Sequence, residues 1–154
     1  MNPRYLHLIG GTIKTRISEL PFREFDVCVC GGRDFDDWHL LDYVLHHVTT
    51  WGKVGWMLSG GARGADKMAT TWATQHRIAT RSLFARWKAQ GRAAGPIRNA
   101  ELAAELVKLP AVLVVAMPGG DGTADMIMQC NVLGLHVIDV QELIDIIDER
   151  YQGS

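Results

Sequence analysis

The chain lacks the marks of several protein classes. No apolar run reaches the roughly 18 residues needed to span a bilayer, so no membrane segment is expected. Met1 to Leu20 scatters Arg4, Lys14, Arg16 and Glu19 through its length. With no continuous apolar stretch and no small-residue cleavage site, it does not read as a signal peptide. There is no basic excess either: sixteen Lys and Arg stand against seventeen Asp and Glu, a net charge of −1. Proteins that grip nucleic acid by its phosphates usually carry surplus cations, so the balance argues against a nucleic-acid partner.

Cysteine is scarce. Three residues, an odd number with no Cys-x-x-Cys pair, fit neither a disulfide framework nor a zinc site. Cys28 and Cys30 lie two apart in an apolar run and would share one face of a strand. They read as buried thiols in a reducing cytoplasm. The six histidines have no ligand spacing. The adjacent His46 and His47 would diverge by about 100° on a helix. No metal and no cofactor are expected. What remains is a chain of 154 residues with 47% hydrophobic content, one domain's worth and too apolar to stay disordered.

Glycine is what the sequence has in quantity. Of sixteen glycines, twelve gather at Gly10-Gly11, Gly31-Gly32, Gly60 to Gly64, Gly91 to Gly95 and Gly119 to Gly122. The last four clusters follow or precede short apolar runs: Val27 to Cys30, Val54 to Leu58, Ile78 to Phe84 and Ala111 to Ala116, with Leu135 to Val140 as a fifth run. Such near-continuous runs suit strands buried on both faces of a parallel sheet. Between them lie single apolar stripes at helical spacing: Leu40, Leu41, Val44, Leu45 and Val48; Met68, Ala69, Trp72 and Ala73; Leu102, Ala103, Leu106 and Val107; Met126, Ile127, Cys130 and Leu133; and Leu143, Ile144 and Ile147. The alternation predicts an α/β, three-layer sandwich of about five parallel strands with right-handed crossovers, in the order 3-2-1-4-5. Ahead of it, Leu6 to Ile9 and Thr12 to Ile17 flank Gly10-Gly11 and read as a hairpin or an extended arm.

Ligands of open parallel sheets bind outside the carboxyl ends of the strands. Glycine there lets backbone N–H groups approach an anion, and the next helix N-terminus adds favourable partial charge. One glycine loop is explained by a tight turn; four at one edge are a ligand site. The first offers Gly31, Gly32 and Arg33, a guanidinium able to hold phosphate bidentately; Asp36 or Asp37 behind it reads as a helix cap. The second offers Ser59, Gly60, Gly61, Arg63 and Asp66, the last explained equally by the helix dipole. The third runs from Gly91 to Asn99, with Pro96 suited to a first helical position and Arg98 and Asn99 in the first turn. The fourth, Pro118, Gly119, Gly120, Asp121, Gly122 and Thr123, followed by Asp125, reads as the best phosphate cradle. Trp87 stacks on a base or plugs the core edge, while Trp51, Trp56 and Trp72 read as structural.

These four segments together resemble the SLOG superfamily, most closely its YspA-like (cpYpsA-related) branch, over roughly Asp26 to Val140. The resemblance implies a Rossmann-like SLOG domain over 26–150, with 1–25 as an extension or hairpin. It implies binding or sensing of a nucleotide or nucleotide-derived small molecule. Two relatives supply rival functions. Lonely Guy phosphoribohydrolases, which split the N-glycosidic bond of nucleoside monophosphates, carry Pro-Gly-Gly-x-Gly-Thr-x-x-Glu. Here Met126 stands where that glutamate belongs, leaving Asp121 and Asp125 as the catalytic candidates for this alternative. DprA proteins, which bind single-stranded DNA, carry a stretch similar to Ser59 to Asp66. The neutral charge and the lack of a second domain rank that third. Five tryptophans and the prevalence of twofold assemblies point to a homodimer.

Overall fold

The apolar runs fold as five parallel strands: β1 (Glu24–Cys30), β2 (Lys53–Ser59), β3 (Ala79–Ser82), β4 (Val112–Ala116) and β5 (His136–Asp139). This computed structural model describes residues 6–83 and 94–151. Phe84, Trp87 and residues 91–93 of the third glycine segment lie outside them. The sheet order is β3-β2-β1-β4-β5, as the alternation predicts, with β1 central. Six helices accompany it among the described residues: α1 (Leu6–Ser18), α2 (Trp38–Trp51), α3 (Ala65–Gln75), α4 (Ala94–Leu106), α5 (Asp121–Val132) and α6 (Val140–Tyr151). Among those residues no helix is long and apolar enough to cross a membrane.

The two-residue period of the strands divides the core. Val27, Val29, Leu113 and Val115 face one side, packed with the apolar stripes of α1, α2, α3 and α6. Cys28, Cys30, Val112, Val114 and Ala116 face the other, against α4 and α5. β4 is therefore buried at every position, which is why its run contains no polar residue. One irregularity interrupts the ladder. Phe25 pairs with Val54 but Val27 pairs with Met57, so β2 carries one residue more than β1. The Trp56 N–H in this bulge donates to Asp26 Oδ1 at 2.9 Å, a side chain replacing the missing strand partner.

The N-terminal segment corrects the hairpin expectation: it is helix α1. Ile9, Ile13 and Ile17 repeat every four residues and are buried. Each contributes about 1.5–3 kcal/mol by leaving water, against a penalty of about 1 kcal/mol per helical glycine. Packing thus outweighs the turn signal of Gly10-Gly11. Gly10 is also the contact point with α2, since a Cβ there would lie 2.6 Å from the Tyr43 hydroxyl. Three smaller expectations are corrected too. Trp51 and Trp56 are 46% and 48% exposed, and Val107 is exposed at the end of its stripe. The Lys14 ammonium lies over the Trp51 ring, 4.1 Å from its centroid. Helix α4 begins at Ala94, so Pro96 is its third residue; its absent N–H is still one the helix leaves unbonded. Trp72 is structural as expected, buried with Nε1–H donating to Asp42 Oδ1 at 2.8 Å.

Candidate functional site

β1 and β4 are neighbours whose chains leave the sheet in opposite directions, the first toward β2 and the second toward β5. Such a switch point opens a crevice at the carboxyl edge. Here the two departing loops are tied together first: Met117 N–H donates to Cys30 O at 2.8 Å and Gly32 N–H to Pro118 O at 3.0 Å. Gly119 makes the closest approach. A Cβ on it would strike Thr123 Oγ1 and lie 2.6 Å from Gly32 N, so no larger residue fits there. The second glycine loop is drawn in by Ala65 N–H, which donates to Gly32 O at 3.2 Å. Gly64, at φ 76°, makes the left-handed turn that this needs.

The crevice is a cavity of about 520 Å³ lined by Cys30, Gly31, Gly32, Arg33, Ala62, Asp66, Gly95, Arg98, Asn99, Gly120, Gly122, Thr123 and Met126. That is within the range of small-molecule sites. All four predicted segments contribute to its lining, the third through Gly95, Arg98 and Asn99 of α4. Helix α5 starts at its wall. The N-cap is Gly120, and no side chain caps the helix. Its first-turn N–H groups are those that normally seek an acceptor, and Thr123 adds a hydroxyl.

An ion pair lies in the cavity wall. Arg98 Nη2 lies 2.9 Å from Asp66 Oδ2, with the side chains 11% and 2% exposed. The same oxygen accepts from Gly60 N–H at 3.1 Å and Ala62 N–H at 3.3 Å. Burial pushes the Asp66 carboxyl above its ordinary value, and Arg98 and the two N–H groups pull it part of the way back. The residue does more than serve the helix dipole: it holds the second glycine loop in shape and fixes Arg98 in the wall. Asn99 plays a matching part on the far side, donating from Nδ2 to Gly122 O at 3.0 Å and to Asp125 Oδ2 at 2.9 Å.

The remaining candidates are placed around this centre. Ser59 is buried and its carbonyl accepts from Leu83 N–H at 2.7 Å. Ser59, Gly60, Gly61, Pro118 and Gly119 shape the loops without lining the cavity. Arg63 lies outside it, in an exposed ion pair with Asp34 at 3.1 Å. Asp121 is exposed, and neither it nor Asp125 is a lining residue. Asp37 is the α2 cap, accepting from Leu40 N–H at 3.1 Å.

Sequence reasoning missed Cys30 and Met126 as parts of the cavity wall. Both carry an apolar signal, and both are buried. Burial raises the Cys30 and Cys28 thiols far above their ordinary value and pushes Cys130 up to about 11. Thiolate chemistry is therefore suppressed at the cavity floor.

Residues 25–89 match the family model described as YspA, cpYpsA-related SLOG family. The match takes in the first two glycine loops, while Pro118 to Asp125 lies beyond it. No curated protein and no solved structure matches the chain.

Proposed function

We propose that this chain, similar over residues 25–89 to the YspA, cpYpsA-related SLOG family, binds a nucleotide or nucleotide-derived ligand at the carboxyl edge of its sheet. The observation that carries this reading is the start of α5: a helix whose N-cap is glycine, uncapped by any side chain, with Gly120, Gly122 and Thr123 lining the cavity. A phosphate there accepts from the first-turn N–H groups and meets the positive end of the helix dipole. Arg33 is the cation of the opposite wall, and Arg98 adds positive potential while bound to Asp66. The apolar floor of Met126 and Cys30 suits the sugar or base. The similarity to that family is consistent with ligands of this kind.

Binding or sensing is favoured over N-glycosidic hydrolysis. Cleavage builds positive charge at the anomeric carbon and needs a carboxylate beside it. Asp66, the carboxylate of the cavity wall, is committed to Arg98 and two backbone N–H groups. Met126 supplies no acid. Calorimetric titration with AMP and ADP-ribose tests the reading, with chromatography of the same mixtures for released base. Saturable binding without release is expected. Absence of binding by both compounds overturns the reading, and base release abolished in Asp121→Asn or Asp125→Asn replaces it with hydrolysis.

A further inference from the structure

A second depression adjoins the cavity. It measures about 450 Å³ and lies between the turn after β1 and the first turns of α2 and α3. Arg33 lines both spaces, so they share one wall. The floor of the second is apolar: Phe35 and Met68 are half-buried and packed against the core. Trp38, the first residue of α2, stands at its side and remains 37% exposed. Its charges are mixed, with Arg33, Arg63 and Lys67 against Asp34 and Asp36. Arg63 and Asp34 neutralise one another in a pair that is open to solvent. Such pairs contribute little, so Arg63 is able to turn toward a ligand at small cost.

We infer that cavity and groove are the two halves of one site, taking a ligand with two ring systems joined through phosphates, of the dinucleotide class. This rests on the reading of the cavity proposed above. The cavity alone suffices for one nucleotide, and the groove adds a space of nearly the same size. A second phosphate would not account for an apolar floor with an exposed indole beside it. A second base does: its face stacks on the tryptophan, and its edge carries the donors and acceptors that the mixed charges of the rim complement. Arg33 then stands where the bridging phosphates pass from one space to the other.

The test compares ADP with diadenosine diphosphate by calorimetry. They carry equal numbers of phosphates but one and two bases. Diadenosine diphosphate binds about tenfold more tightly or more, the scale of one base stacked on an aromatic side chain. In Trp38→Ala that gap closes to within about twofold. The fluorescence assigned to Trp38, by difference from Trp38→Phe, is quenched by diadenosine diphosphate and not by ADP. Equal affinity of the wild type for the two compounds overturns the inference while leaving the cavity's nucleotide reading intact. A gap that persists in Trp38→Ala also overturns it. Failure of both compounds to bind removes the cavity reading and this inference together.

Discussion

Helices α2 and α5 both follow a central strand at the carboxyl edge, yet they begin differently. α2 starts behind Asp37, whose carboxylate accepts the Leu40 N–H at 3.1 Å. α5 starts behind Gly120, with no side chain in that place. Asp139 does for α6 what Asp37 does for α2, accepting from Glu142 N–H at 3.2 Å. An aspartate cap satisfies donors and supplies negative charge at the positive end of the dipole. A glycine cap leaves that position to something else, and in α5 the position borders a cavity. Helix α3 also starts behind a glycine, Gly64, without a side-chain cap, so it is the cavity beside Gly120 that marks where an anion from outside the chain is wanted.

The largest expected effect comes from the ion pair in the cavity wall. Asp66→Ala leaves the buried Arg98 guanidinium and two backbone N–H groups without their acceptor. Breaking a buried pair from one side costs about 3–5 kcal/mol, to be read from urea unfolding. A loss under about 1 kcal/mol, within the range of exposed pairs, would mean that the pair does not hold the loop.

Next is the exchange that makes α5 resemble α2. A Cβ on Gly120 would meet open space, and the residue has a negative φ of −103°, so aspartate fits. Gly120→Asp places a carboxylate where the ligand's phosphate is proposed to sit. Nucleotide affinity falls by about 1.5–3 kcal/mol, the scale of a hydrogen bond to a charged group. Stability rises or holds, since a good cap exceeds glycine by only a few tenths of a kcal/mol. A variant that binds AMP as well as the wild type breaks the comparison.

The converse change is smaller. Asp37→Ala removes a satisfied cap and lowers stability by about 1 kcal/mol, measured by thermal or urea unfolding. It leaves AMP affinity unaltered, because Asp37 does not line the cavity.

The smallest effect is a pH term from the core on the α4–α5 side of the sheet. Cys130 ionises near its ordinary value of 9 in the unfolded chain but at about 11 in the fold. The unfolded state thus releases its proton first. The stability this thiol contributes is intact below pH 9 and is lost as pH rises toward 11. Unfolding midpoints of Cys130→Ala therefore fall less steeply over that window than those of the wild type.

Much of the fold was legible because doubly buried strands leave no polar residue in their runs. Val112 to Ala116 is the clearest, and its place beside β1 follows from the glycine loops that close both. Helix α1 was not legible, because Gly10-Gly11 signals a turn locally and the decisive contact, with Tyr43 and His47 of α2, is distant in sequence. The site divides the same way. The glycine loops and the Asp37 cap are local patterns, and the sequence displayed them. The pairs that position the wall are not local: Arg98 and Asp66 lie 32 residues apart and Asn99 and Asp125 lie 26 apart. Composition and spacing carry no trace of such pairings. The same holds for Arg63, whose side chain pairs with Asp34, 29 residues away, rather than lining the cavity.

In the proposed site the start of α5 holds the ligand's phosphate. Backbone amide resonances followed by ¹⁵N–¹H NMR during titration with AMP test it most directly. The largest shifts are expected at Gly120, Asp121, Gly122 and Thr123, joined by Gly31, Gly32 and Arg33, with the first turn of α2 at Trp38 to Leu40 nearly still. Shifts centred elsewhere, or none at saturating AMP, would contradict it.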